Sequence, residues 1–206
     1  MKRILALAAV LAPALSLADT TAWNIDPAHS NASFTIRHMV ISNVRGEFTK
    51  LSGSARLDEK DLARSSVEAI IDAASIDTRV ADRDKDLRSS NFFDVAKYPN
   101  ITFKSTKVEK AGQGKLKVTG DLTIHGVTKT VVLDVTGPTA EIKDPWGMVR
   151  RGVSASTKIN RKDFGLTWNQ LVEASPIVGD EVKIEIEAEL IKQAPEKLAP
   201  LPAAAK

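Results

Sequence analysis

The chain contains no cysteine, so disulfide staples, thiol nucleophiles and thiolate metal centres are all excluded. Histidine is nearly as scarce. His29, His38 and His125 are the full set, no two stand at helical metal-ligand spacing, and no metal site is expected. Neither a glycine-rich phosphate loop nor a Gly-x-Ser-x-Gly nucleophile elbow is present. Charge of one sign is lacking too. The 29 Lys and Arg are interspersed with 26 Asp and Glu, the pattern of a solvated surface and not of the basic stripe that nucleic acid requires. After the N-terminal segment no apolar run approaches the roughly 20 residues that cross a bilayer as a helix. The sequence thus offers no positive sign of catalysis, and neither a cofactor nor nucleic acid is expected.

What is present begins with a leader. Lys2 and Arg3 precede an almost wholly apolar stretch, residues 4–15, and Ser16-Leu17-Ala18 ends it with small residues suited to a signal peptidase. Asp19 interrupts the run too early for a membrane anchor. Residues 1–18 therefore read as a signal peptide cleaved after Ala18, and residues 19–192 as one exported domain. Loss of Lys2 and Arg3 leaves 27 basic against 26 acidic residues. Without disulfides, that domain has to be held by an ordinary apolar core.

The core is patterned in twos. Val182, Ile184, Ile186, Ala188 and Leu190 alternate with Lys183, Glu185, Glu187 and Glu189, which gathers the apolar side chains on one face of a strand and would scatter them on a helix. The alternation recurs through Leu116, Val118, Gly120, Leu122 and Ile124, through Val131, Leu133 and Val135, and through Val153, Ala155, Thr157 and Ile159. Weaker versions pass through Phe34, Ile36 and His38, through Ile101, Phe103 and Ser105, and through Val67, Ala69, Ile71 and Ala73. The phase slips between Phe48 and Leu51, which predicts a bulge at Thr49 and Lys50. Gly112-Gln113-Gly114, His125-Gly126-Val127-Thr128 between Ile124 and Val131, and Asp144-Pro145-Trp146-Gly147 supply chain reversals. About eight long antiparallel strands, each with one apolar face, favour a barrel over a sandwich because closure removes the edges. The inward positions include the small residues Ala69, Ala73, Ser105, Gly120, Ala155 and Thr157, which favours a hollow interior over a filled one.

One segment departs from this pattern. Residues 77–90 (DTRVADRDKDLRSS) are too charged for a buried strand, and pairs such as Asp82 with Lys85 and Asp84 with Arg88 support one another on a helix. A short exposed helix crossing the barrel is predicted, acting as a cover and not as a catalytic element, with Phe92 and Phe93 bringing the chain back to the sheet. Residues 193–206, rich in Ala and Pro, read as a disordered tail.

Four blocks then stand in order: WNIDPAHSNASFTIRHM with VRGEF, DTRVADRDKDLRSSNFFDVAKYPNITFKS, GDLTIHGVTKTV, and RKDFGL. Together they resemble the YceI family over residues 23–190. The resemblance implies an all-β fold, a lipocalin-like antiparallel β-barrel of about eight strands with a short helix, located in the periplasm. It also implies a long isoprenoid or quinone-like lipid as the ligand. Positions that both match a block and face inward are the implied lining: Phe34, Ile36, His38, Phe92, Phe93, Phe103, Leu122 and Ile124. Ala155 joins them as a small inward residue on the alternation alone.

The expected function is binding, storage or transport of that lipid, without catalysis, the head group being read by polar residues at the mouth such as His38 and Arg37. Two rivals stay open. One is an enzyme acting on a small amphiphile, which needs His38 and a helix aspartate to converge. The other is a stress-induced barrel with no fixed ligand. Transient contact with a membrane surface and a homodimer are left open as well.

Overall fold

The period-two segments form strands wherever they were legible, and their order in the sheet closes it on itself. In the computed structural model the described residues are 20–172 and 175–194, so the signal-peptide reading and most of the tail lie outside them. The elements in chain order are β1 (Thr20–Ile25), β2 (Asn31–His38), β3 (Ser42–Phe48), β4 (Leu51–Asp58), β5 (Ser66–Asp72), β6 (Ile76–Asp77), α1 (Ala81–Arg88) and β7 (Asn100–Lys110). They continue with β8 (Lys115–Ile124), β9 (Val127–Thr136), β10 (Ile142–Lys143), β11 (Val149–Asn160), β12 (Leu171–Val172), β13 (Ser175–Pro176) and β14 (Val178–Lys192).

Three of the breaks are interruptions within one stave. β1 and β2 lie end to end along the same edge of β14, with Trp23 opposite Lys192 and Asn31 opposite Glu187, and residues 26–30 loop out between them. β3 and β4 part at Thr49 and Lys50, where the phase slip predicted a bulge, and this leaves both Phe48 and Leu51 buried. A single 3-10 turn, Ala73–Ser75, separates β5 from β6. Counted as staves, β1–β2, β3–β4, β5–β6, β7, β8, β9, β11 and β14 form a closed antiparallel barrel of eight. Pairing of β11 with β14, from Arg150 opposite Ile191 to Asn160 opposite Glu181, completes the ring. The seam between β9 and β11 is the thinnest, with three opposed pairs, Ser154–Thr136 to Ser156–Asp134. Beyond it Thr157 Oγ1 donates to the Val132 carbonyl (2.9 Å).

The reversals follow turn chemistry. His125 and Gly126 both have positive φ, 52° and 75°, as a two-residue hairpin requires. The apolar faces bury themselves in three clusters around the inside of the barrel, centred on Phe48, Trp23 and Val118.

Helix α1 falls inside the predicted segment, but the expected ion pairs Asp82–Lys85 and Asp84–Arg88 do not form. Asp84 is buried and accepts from the Thr78 N–H (2.9 Å) and Thr78 Oγ1 (2.5 Å). Arg88 donates to the carbonyls of Ala74 (2.8 Å) and Ile76 (2.5 Å), and Arg83 to Thr78 Oγ1 (2.7 Å) and its carbonyl (2.8 Å). The helix lies against strand ends whose free backbone groups are fixed, short-range partners. Those outcompete solvated carboxylates, whose pairing on a surface stabilises little.

Candidate functional site

The inner faces of the staves enclose a cavity of about 630 Å³. All nine residues expected at the site stand on its wall: Phe34, Ile36 and His38 from β2, Phe92 and Phe93 from the turn after α1, Phe103 from β7, Leu122 and Ile124 from β8, and Ala155 from β11.

Backbone approach explains why the aromatic rings do not fill the lumen. The ring of Phe34 lies over Gly46 of the neighbouring strand β3, its Cζ 2.5 Å from where a Cβ would stand, and Phe103 lies over Gly120 of β8 in the same way. Each glycine makes a shallow in the wall that a neighbouring ring occupies. Gly120 therefore does not open the cavity as a small inward residue, because Phe103 covers it. Ala69, Ala155 and Thr157 do border the space. Ala73 is packed into the cluster around Phe48. At Ser105 the β7–β8 register shifts, and its hydroxyl turns to accept the Val67 N–H (2.9 Å).

The two ends differ. Toward one, Trp23 is fully buried beneath Arg151 and Lys192, whose cations lie 5.2 and 5.5 Å from the ring centroid. Arg151 pairs with Glu59 (2.9 Å) and Glu141 (3.3 Å), and Lys192 with Glu141 (2.8 Å). At the other end α1 contributes Asp82, Arg83, Asp86 and Leu87, and the ends of β2 and β11 bring Arg37, His38 and Arg161. Among the described residues every charged side chain that reaches the cavity comes from this second end, while the remaining wall is overwhelmingly apolar. Aromatic contacts frame it, Phe48 with Phe93 at 5.6 Å and Phe92 with Trp168 at 5.1 Å between ring centroids.

Neither Arg161 nor Trp168 stands out in the sequence as a site residue; Trp168 reads as a core aromatic. Arg161 is almost wholly buried and donates to the carbonyls of Leu166 (2.5 Å), Trp168 (2.8 Å) and Gly179 (2.8 Å). Burial pushes its pKa down, with the Asp180 carboxylate opposing. Its role is to pin the segment carrying Trp168 across the mouth. The RKDFGL block opens on this residue, yet an arginine beside lysine and aspartate reads as surface. Arg37 is spent locally, its Nε on the Val40 carbonyl (3.0 Å) and a terminal nitrogen on Asn43 Oδ1 (3.3 Å). His38 and the helix aspartates share this end of the cavity, but among the described residues no ion pair joins them.

A second titratable cluster lies on the outer face. Asp26, His29 and Glu189 bring ligand-type atoms within 4.8 Å of one another. The buried guanidinium of Arg150 already supplies their positive charge, donating to Asp26 (2.5 Å), Glu189 (2.9 Å) and Asp144 (2.7 Å). Arg150, followed by His29, holds the Asp26 carboxyl down at about 2, and it also lowers Asp144. Asp26 and Asp144 each spend their other oxygen on their own turn, accepting the N–H of Ala28 (3.0 Å) and of Trp146 (3.0 Å). This is a structural clamp joining the looped-out residues 26–30 to the β10–β11 hairpin.

A YceI-like domain model matches residues 23–190, nearly the whole of this barrel. The chain belongs to the YceI family. A UPF0312 protein of Vibrio parahaemolyticus is 39% identical over 160 residues, covering 78% of this chain and 79% of the relative. The Campylobacter jejuni YceI crystal structure superposes with a TM-score of 0.65 at 34% identity, covering 77% of this chain and 91% of that one. A polyisoprenoid binding domain from Saccharophagus degradans gives a TM-score of 0.61 over 84% of this chain and 99% of that one. Its 18% identity marks a shared fold alone.

Proposed function

We propose that this YceI protein binds a long isoprenoid-tailed lipid in its barrel and stores or carries it in the periplasm. The observation that carries the reading is the asymmetry of the cavity: about 630 Å³ of apolar space whose charged side chains, among the described residues, all stand at one end. That shape suits a long apolar tail with a single polar head. Volumes of about 300–1,000 Å³ are usual for ligand sites, and each buried methylene contributes about 0.8 kcal/mol, so a tail of several isoprene units binds without directional contacts. The polyisoprenoid-binding neighbour supports the same ligand class, and the leader in residues 1–18 supports export.

The mouth favours an uncharged head. Arg37 and Arg83 are balanced there by Asp82 and Asp86, and Arg161 is committed to backbone carbonyls. A quinone or an alcohol meets hydrogen-bonding groups at such a mouth, while a phosphate meets two carboxylates as well. Delipidated protein titrated with a long-chain quinone, a polyprenol and a polyprenyl phosphate tests this. The neutral pair should bind at least about tenfold more tightly, the equivalent of about 1.4 kcal/mol. Preference for the phosphate would reject the head-group assignment.

A further inference from the structure

The turn joining β2 to β3 carries two costs that another sequence would avoid. Met39 and Val40 both have positive φ, 49° and 62°, in a turn closed by the Ile41 N–H donating to the His38 carbonyl (3.1 Å). That geometry suits Asn-Gly, and a β-branched residue in it is strained. The same turn exposes apolar surface, Val40 at 57% and Ile41 at 75%. The Met39 N–H donates to the Ile177 carbonyl (2.8 Å), which seats the turn beside the β12–β13 hairpin, where Leu171 is 70% exposed. At the base of these turns Arg37, His38 and Ile177 line the charged end of the cavity.

Charge identifies the occupant. Between Asp26 and Glu47 the sequence has no acidic residue, while the exposed Arg37 and Arg45 flank the tip. An apolar point with a cation on each flank, and no acidic residue in the sequence between Asp26 and Glu47, is complementary to an anionic bilayer: aliphatic side chains enter the acyl boundary and the exposed Arg45 guanidinium meets lipid phosphates. A second copy of the chain would instead set like charges against one another.

We propose that the β2–β3 tip docks the protein on anionic membrane surfaces and so holds the cavity mouth at the lipid it exchanges. This rests on, and deepens, the lipid-carrier reading. Flotation of the full exported protein with phosphatidylglycerol–phosphatidylcholine vesicles, and with phosphatidylcholine alone, tests it. The protein should float with the anionic vesicles and be released by salt. The double substitution Met39→Asn with Val40→Gly gives the turn the residues its backbone favours. It should melt at the same or a higher temperature while vesicle binding falls about tenfold or more. Should it misfold, Ile41→Ser leaves the turn backbone alone and carries the same expectation for binding.

Wild-type protein left in the soluble fraction, or folded variants that float undiminished, would overturn the proposal. Sedimentation velocity showing self-association that the variants abolish would assign the tip to a second copy and overturn it equally. The two readings fail separately. Protein that floats yet holds no lipid removes the carrier and keeps the docking, whereas protein that holds lipid yet ignores vesicles removes only the docking.

Discussion

Gly46 and Gly120 set the bore of the barrel, because each lets a phenylalanine from the next strand lie flat against the wall. A side chain at Gly120 would meet both the Phe103 ring and the Lys104 carbonyl, so Phe103 and the β7 backbone would have to shift. Gly120→Val is therefore expected to cost about 1–3 kcal/mol by overpacking and to reduce lipid retention, both read from denaturant melts and lipid extraction of the same sample. Ala155 faces the cavity. Ala155→Trp should fill the space with little change in fold and lower lipid retention about tenfold or more; unchanged retention in a folded variant would remove Ala155 from the site. Outside the barrel, Asp26 titrates at about 2 because Arg150 and then His29 hold its charge. Its pKa is depressed from the ordinary 3.8, so its contribution to stability is full above that value and is lost as the pH falls through about 2. Arg150→Met should consequently be most destabilising at neutral pH, and its melting temperature should converge on wild type between pH 4 and pH 2 (roughly the span of the two pKa values). A difference that stays constant across that range would contradict the clamp.

At the scale of elements, α1 is better anchored than its composition suggests. Leu87 packs into the cluster around Phe48, and Asp84, Arg83 and Arg88 tie the helix to strand ends through backbone groups. A cover held by a few polar tethers opens as a unit. Amide exchange in residues 81–88 should slow on lipid binding more than exchange in the strands. Asp84→Ala, which leaves the buried Thr78 N–H unpaired, should cost about 1–3 kcal/mol and speed exchange there, while Asp82→Asn should leave it unchanged. The strands were legible because a period of two needs only near neighbours in sequence, and the break at Thr49 and Lys50 was legible as a slip in that period. The tethers were not. Arg161 and Arg150 are written like surface arginines, and what buries them is carbonyls and carboxylates brought up by the fold, in one case Asp26, from 124 residues away. Nor does alternation say which ring covers which glycine, since that depends on register across strands.

For the whole molecule, closure and asymmetry matter together. Eight staves leave the sheet no free edge around the ring, Trp23 is buried toward one end, and the charged rim with α1 marks the other. A barrel built this way presents a lipid tail with apolar wall along its length and presents solvent only with the head. The sharpest check is native mass spectrometry of the protein purified gently from its native source, followed by organic extraction and identification of whatever is released. A discrete added mass is expected, identified on extraction as one isoprenoid-tailed lipid class, and it should be lost in Ala155→Trp. A clean apo mass in gently purified protein, or a heterogeneous mixture that Ala155→Trp leaves in place, would contradict the lipid-carrier reading.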